Sequence, residues 1–299
     1  MSASWYLEFL ACPDCGSAWD VASAPAACRG CGHELNLSQS PLDLKPSKPA
    51  PATLVFPRQT AAPAVLESVS LDKPKSAYDG PMPGRDSREL VSAMLPFLPG
   101  GAKVLDLGCG PRDQAAVFQH LGCAYVGIDY ANPAADIFAD AHAIPFRSET
   151  FDAVFSYAVL QHLYNPFVAI SEIKRVLKPG GIYCGTVSQG EPFQACYFHV
   201  TSWGLASLAE TSGMKIDRLW STYDTLRALA ISGRYPRAIK PLIHAVDFLH
   251  TRLPILSFRK TLRWSAREKT IDRLHRTAGI CFLVRKDTEV AQGENVRVG

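Results

Sequence analysis

The sequence predicts an α/β protein: a doubly wound, mostly parallel sheet preceded by a small ribbon closed by cysteine pairs. Three observations predict it. From Ser87 onward, short apolar runs alternate with helix-period segments, the order that folds into strand–helix–strand units. The first apolar run, Lys103–Leu107, ends in the glycine loop Gly108-Cys-Gly110. Ahead of both, Cys12-Pro-Asp-Cys15-Gly16 and Cys28-Arg-Gly-Cys31-Gly32 are two Cys-x-x-Cys-Gly turns twelve residues apart.

With 299 residues the chain can bury one substantial core and carry a small accessory module. It is 47% hydrophobic and 20% charged. No uninterrupted apolar run reaches the roughly 18 residues that span a bilayer as a helix. Met1–Leu10 contains Glu8 and no basic segment, so no export signal is read and the expected compartment is the cytoplasm, where thiols stay reduced. A net charge of +3 does not imply a nucleic-acid partner. Its distribution is uneven: between Thr225 and Arg276 stand twelve Lys or Arg against three acids, a net +9, so the rest is net acidic.

Residues 1–40 read as the ribbon. A tetrahedral zinc ion needs four soft ligands, and the two turns offer the thiolates of Cys12, Cys15, Cys28 and Cys31. The glycine after each pair tolerates positive φ and lets backbone N–H groups approach the sulfurs. Four thiolates close the shell, so the metal is structural and His33 a bystander; the bland alternative is four reduced core cysteines. Residues 41–85 are a Pro-rich linker, in which Leu54, Val55 and Phe56 offer one apolar anchor.

The core spans 86–220: a helix over Arg88–Leu98, the strand Lys103–Leu107, a helix over Gln114–Leu121 and the strand Ala124–Ile128. Strands at Ala153–Ser156 and Gly181–Val187 then flank a helix over Pro166–Leu177. A basic helical insertion, 221–277, is divided by Pro236, Pro241 and Pro254. Residues 278–299 hold a last strand near Ile280–Arg285 and a tail. Isolated Cys109, Cys123, Cys184, Cys196 and Cys281 read as packing residues.

In Val104-Leu-Asp106-Leu-Gly108-Cys-Gly110 the glycines admit a ligand close to the backbone, and the next helix aims its N-terminus there. Asp129 ends the second strand, where an acid can take ribose hydroxyls. A dinucleotide fingerprint would need a third glycine where Asp113 stands, which counts against nicotinamide or flavin dinucleotides.

Five stretches occur in order: Val104–Gly110, Tyr125-Val-Gly-Ile-Asp129, Asp140-Ala-His-Ala-Ile-Pro-Phe146, Phe151-Asp-Ala-Val-Phe-Ser156 and Arg175-Val-Leu-Lys-Pro-Gly-Gly181. Together they resemble the class I S-adenosylmethionine-dependent methyltransferases of the type 11-like group. The resemblance implies a seven-stranded Rossmann-like sheet and S-adenosyl-L-methionine as cofactor. It further implies that Gly108 and Gly110 line the methionine and ribose portion and that Asp106 holds the amino group. Asp129, with Tyr130 beside it, would bind the ribose, Asp140 and the Ala141 N–H would face adenine, and Ser156 and Tyr157 would wall the methionine. Two departures stand out. Pro111-Arg112 replaces a small residue and a glycine, so that Arg112 either narrows the entrance or points outward. Gln161 replaces a common glutamate. At the N-terminus, Cys31-Gly-His-Glu-Leu35 and Ser40-Pro-Leu-Asp-Leu44 resemble the ribbon of Trm112-like proteins, which also precedes some rRNA guanine methyltransferases.

Methyl transfer is an in-line displacement in which positioning supplies much of the rate, and a hydroxyl acceptor must also lose a proton. His162 after the fourth strand, and Tyr197 and His199 after the fifth, are the candidates, since ligands bind beyond the carboxyl ends of parallel strands; His162 can equally serve packing. The fourth strand runs into Ser156-Tyr-Ala-Val159 rather than an amine-methylating Asn-Pro-Pro-Tyr. The leading expectation is therefore oxygen methylation of a small molecule or glycan, lipid-linked acceptors included. An RNA methyltransferase gripping nucleic acid with its ribbon and 225–276 segment is the second reading, and a non-enzymatic adaptor the third. The basic segment would suit RNA or an anionic membrane surface; as a helical cap it would simply solvate its arginines.

Overall fold

A computed structural model describes residues 5–48, 66, 68–84, 86–191, 195–231, 236, 238–252 and 265–288. The anchor Leu54–Phe56, the cations Arg234, Arg237, Arg259, Lys260 and Arg263, and the tail from 289 lie outside these residues.

The ribbon contributes β1 (Trp19–Asp20), β2 (Ala26–Cys28) and β3 (Glu34–Leu35), an antiparallel sheet in that order, and then β4 (Leu42–Asp43). The core follows with α1 (Ser87–Met94), β5 (Lys103–Leu107), α2 (Ala115–His120), β6 (Ala124–Asp129), β7 (Ile137–Phe138) and β8 (Phe151–Tyr157). It continues with α3 (Pro166–Val176), β9 (Leu177–Ser188), α4 (Ser202–Ser212) and β10 (Met214–Ser221). The insertion holds α5 (Thr225–Ile231), α6 (Lys240–Arg252) and α7 (Ala266–Arg276) before β11 (Gly279–Lys286).

The large sheet runs β10-β11-β9-β8-β5-β6-β7-β4. It is parallel from β4 to β9 and antiparallel only where β11 inserts between β9 and β10. The mostly parallel, doubly wound expectation holds. The count of seven is corrected to eight strands, because Leu42–Asp43, within the stretch read as linker, pairs in parallel with Ile137–Phe138. Leu42 and Leu44 are buried beneath that edge, and a two-residue strand beside a proline has no periodicity to reveal it.

Alternate strand residues feed opposite faces. Val104, Tyr125 and Phe155 pack under α1 with Leu90 and Met94, whereas Leu105, Val126 and Val154 pack with Ile170, Ile173, Leu205 and Leu208 of α3 and α4. Local chemistry sets the helix ends. Asn165 accepts the Val168 N–H, with Pro166 at the first helical position of α3. Ser265 and Glu268 form a capping box on α7, whose last turn carries Arg273, His275 and Arg276. Cys109, Cys184 and Cys281 are buried, while Cys123 and Cys196 are half-buried.

The ribbon docks against the core at two places. Leu42 and Leu44 donate N–H groups to Asp136 and Phe138 at 3.2 and 2.9 Å. Ala11 donates to the Pro145 carbonyl and Arg147 to that of Phe9, at 3.0 and 2.9 Å. Between these grips lies 139–144, the start of the Asp140–Phe146 stretch. Asp14 ties the two arms together by accepting the Ser47 N–H at 2.7 Å and the His33 Nδ1 at 3.0 Å.

Candidate active site

The strands β5, β6 and β8 deliver their carboxyl ends to one edge of the sheet, and the residues that follow them build a crevice there. Gly108 and Gly110 take φ of +67° and +51°, which turns the chain back so that the N–H groups of Gly108 and Cys109 both reach the Ile128 carbonyl. A Cβ on Gly108 would lie 2.5 Å from Val159 Cγ2, so only glycine fits that approach. Asp129 is fixed at the tip of β6: Oδ2 accepts the Gly110 N–H, and Oδ1 accepts those of Ala131 and Asn132, all at 3.0 Å. A carboxylate has about four lone-pair sites, so Oδ2 keeps capacity for a further hydroxyl.

A cavity of about 510 Å³ opens beside these residues, lined among others by Gly108, Asp129, Tyr130, Asp140 and Ala141 and by Tyr157, His162, Tyr164 and Tyr197. A smaller one of about 190 Å³ is lined by Asp106, Gly108, Gly110 and Tyr157 with Gly84 and Ser87. Gly108 and Tyr157 border both. Thus Asp106, Gly108, Gly110, Asp129, Tyr130, Asp140, Ala141, Tyr157, His162 and Tyr197 converge on one crevice.

Two expected residues stand apart. Ser156 is fully buried with its hydroxyl 2.8 Å from that of Tyr183, and it lines neither cavity; the strand alternation that exposes Tyr157 turns Ser156 inward. His199 is exposed and also lines neither. Arg112 neither narrows the entrance nor points outward. At φ +62° it folds back so that its guanidinium lies 3.0 Å from Asp136 and over the Tyr125 ring.

Burial raises the Asp106 carboxyl to about 7, against the hydrogen bond donated by Tyr125 at 2.7 Å and the nearby Arg112 charge, both of which favour ionisation. Burial, followed by the Asp86 charge, pushes the Tyr157 phenol up to about 12, so it stays a hydrogen-bond donor. Burial disfavours the charge of Asp140. The hydrogen bonds from the His142 side chain and backbone, at 2.5 and 2.9 Å, outweigh it and hold the carboxyl below its usual range.

His142 and Tyr164 also line the larger cavity, and pattern reading did not single them out. His142 Nε2 accepts the Asn165 N–H at 3.2 Å, which leaves Nδ1 as the donor to Asp140. Tyr164 stacks on the imidazole at 3.9 Å. The His lay within the Asp140–Phe146 stretch, whereas Tyr164 belongs to a loop with no periodic signal. Removing the Asp140 donor in His142→Ala should raise the dissociation constant for an adenosine ligand about tenfold, as read by titration calorimetry.

In the ribbon, Cys12 Sγ lies 3.6 Å from Cys31 Sγ and Cys15 Sγ 3.4 Å from Cys28 Sγ. All four sulfurs fall within 4.8 Å of one another. A tetrahedral ion with zinc–sulfur bonds of about 2.3 Å sets sulfurs about 3.8 Å apart, so the donor set and its spacing fit zinc. Gly16 and Gly32 each take φ +74°, closing both turns.

Residues 105–185 match the family described as "Methyltransferase domain". A tRNA (carboxymethyluridine(34)-5-O)-methyltransferase of Arabidopsis thaliana is 37% identical over 113 residues, 34% of this chain and 28% of that protein. A ubiquinone biosynthesis O-methyltransferase of Cereibacter sphaeroides is 30% identical over 115 residues, 33% of this chain and 46% of that one. Among solved structures, phosphoethanolamine N-methyltransferase 2 of Haemonchus contortus in complex with S-adenosyl-L-methionine gives a TM-score of 0.45 at 18% identity, over 67% of this chain and 52% of the other. The chain spans less than half the length of these curated relatives. The matched segment holds the strands β5, β6 and β8 and the start of β9, so the likeness to a methyltransferase domain falls on the part of the sheet that builds the crevice.

Proposed function

We propose that the protein is a cytoplasmic S-adenosylmethionine-dependent methyltransferase that methylates a small-molecule or glycan acceptor, lipid-linked ones included, at oxygen. Its ribbon would carry structural zinc on Cys12, Cys15, Cys28 and Cys31. The observation that carries the reading is the junction of the two cavities at Gly108 and Tyr157, with Asp129 and Asp140 on the larger side and Asp106 on the smaller. The names of the Arabidopsis and Cereibacter relatives both specify an O-methyltransferase, which supports oxygen.

The donor set suits the cofactor: Asp129 toward a ribose diol, Asp140 toward an exocyclic amine and Asp106 toward an ammonium, whose charge favours the ionised form of that buried carboxyl. When bound, the cofactor supplies an activated methyl on sulfur; the acceptor oxygen bonds to that carbon as the C–S bond breaks and its electrons return to sulfur. Val159 and Gly108, in close approach to one another, both line the larger cavity. His162, on the wall of the larger cavity, takes the proton that the hydroxyl loses, and Tyr197 orients the acceptor at the mouth. His162→Gln should lower turnover about a hundredfold with unchanged cofactor affinity, measured with methyl-labelled cofactor and fractionated cell extract. His199→Ala should change turnover little, because that side chain lies outside the cavity; a comparable loss there would move the proton acceptor to His199.

A second reading, RNA methylation, is favoured by the tRNA enzyme among the relatives. Labelling confined to the RNA fraction would establish it. A folded, zinc-loaded protein that binds no cofactor would instead point to an adaptor.

A further inference from the structure

A further cavity, of about 420 Å³, lies at the carboxyl end of β9, on the same edge of the sheet as the crevice. Its volume is that of a small-molecule site. Gln189, the first residue beyond β9, builds it. Its Nε2 shares two hydrogens among the carbonyls of Leu274, His275 and Thr277 at 2.8, 3.2 and 3.2 Å, and its Oε1 accepts the Ser202 N–H at 3.1 Å. One side chain thereby holds the end of α7 beside the start of α4, and the space between them stays open. Gly190 helps to line that space; a Cβ there would lie 2.6 Å from Thr225 Oγ1.

The lining is polar, yet among the described residues no Asp, Glu, Lys or Arg belongs to it. Arg276, beside it in sequence, is turned to Asp272 and Asp224 at 2.7 and 3.8 Å. Trp203 and His275 are both exposed there, their rings 6.1 Å apart at 78°, and Trp203 keeps 46% of its surface free. Of the first three N–H groups of α4, those of Ser202 and Gly204 are taken by Gln189 and Thr201, which leaves that of Trp203 for a ligand oxygen. Thr201 Oγ1 accepts from Gly204 and keeps its proton to donate, whereas Thr225 Oγ1 donates to the Arg276 carbonyl at 3.0 Å and keeps its lone pairs to accept. Behind them the buried Ser202 hydroxyl has no partner among the described residues.

We propose that this cavity is a sugar subsite, in which a pyranose ring lies against Trp203 and its hydroxyls meet Thr201, Thr225 and the Trp203 N–H. A pyranose presents C–H groups on its faces and, around its edge, hydroxyls that each donate and accept. The indole offers a broad apolar face for the first, and the donors and acceptors beside it suit the second. An alkyl chain would strand those polar groups without water. A phosphate, alone or in RNA, would meet a lining that holds neither Lys nor Arg. The segment 197–203 joins the two sites: Tyr197 lines the larger cavity and Thr201 this one, and four residues span at most about 14 Å, within reach of a short glycan. The proposal rests on the reading that the crevice is the catalytic site, and it narrows the acceptor to one that carries a sugar.

Saturation-transfer NMR on the full chain tests it, with methyl β-D-glucopyranoside, methyl β-D-galactopyranoside, methyl α-D-mannopyranoside and methyl N-acetyl-β-D-glucosaminide as probes. At least one should receive magnetisation at its ring C–H protons. Its affinity should fall at least about tenfold in Trp203→Ala and about fivefold in Thr225→Val, while Trp203→Phe keeps part of it. S-adenosylhomocysteine affinity should be unchanged in all three variants. No transfer to any of the four glycosides overturns the proposal, as does glycoside binding that Trp203→Ala and Thr225→Val leave intact. So does binding of inorganic phosphate or an RNA oligonucleotide, in place of the glycosides, that Trp203→Ala removes. If the wild type binds a glycoside through Trp203 but takes up no S-adenosylhomocysteine, the subsite stands and the catalytic reading fails.

Discussion

If the ribbon carries zinc as proposed, removing the metal is expected to weaken S-adenosylhomocysteine binding about tenfold while leaving the core sheet folded. The reason is where the ribbon holds on. Ala11, next to Cys12 of the proposed zinc site, donates its N–H to Pro145, and β4 extends the sheet beside β7, whose next residues but one are Asp140 and Ala141. The stretch that carries Asp140 is thus gripped at both ends by a module too small to fold on its own core. Lys45 adds a further contact, its ammonium 5.4 Å from the centre of the Tyr130 ring on the cavity wall. The loss is partial because the core braces the same stretch. Arg175 donates to the carbonyls of Phe146 and Ile144 at 2.6 and 2.7 Å, and Glu172 accepts the Ile144 N–H at 2.9 Å. A tenfold change corresponds to about 1.4 kcal/mol, the scale of one hydrogen bond to a charged group losing its alignment. Calorimetry before and after chelation, with metal content measured on the same samples, checks it. Cys15→Ser should reproduce the chelated value. Unchanged affinity after complete metal loss would show that the ribbon does not support the crevice.

Gly108→Ala should all but abolish cofactor binding, by about a hundredfold or more. Two costs act together. At φ +67° a side chain is strained by about 1–2 kcal/mol, and its Cβ would sit 2.5 Å from Val159 Cγ2. The loop must shift to relieve the clash, carrying with it Gly110, whose N–H fixes Asp129. Adding Val159→Ala removes the clashing methyls but not the backbone strain, so the double variant should regain part of the affinity and not all. Full rescue would place the whole effect in the clash, and no rescue would place it in the backbone. Thermal melts of the three proteins separate lost binding from lost folding.

Much of this was legible in the sequence because the relevant constraints are local. The glycines of the β5 loop, the acid ending β6 and the paired cysteines each need particular residue types at particular spacings, and all fall where those spacings put them. The helix over Pro166–Leu177 ends one residue early, at Val176, since Leu177 opens β9. What escaped depends on long-range contacts. β4 exists only because Ile137 and Phe138 offer a free edge. Arg112 turns inward because Asp136, far from it on the pattern, awaits its charge. His142 orients Asp140 only because the Asn165 N–H pins its other nitrogen.

Titration of S-adenosylhomocysteine into the zinc-loaded chain, beside Asp129→Ala, tests the central claim most directly. Saturable one-to-one binding in the wild type, reduced at least about tenfold when the carboxylate at the tip of β6 is removed, is the result this account predicts. A folded, fully metallated protein that takes up none of the nucleoside, or takes it up equally well without Asp129, would contradict it.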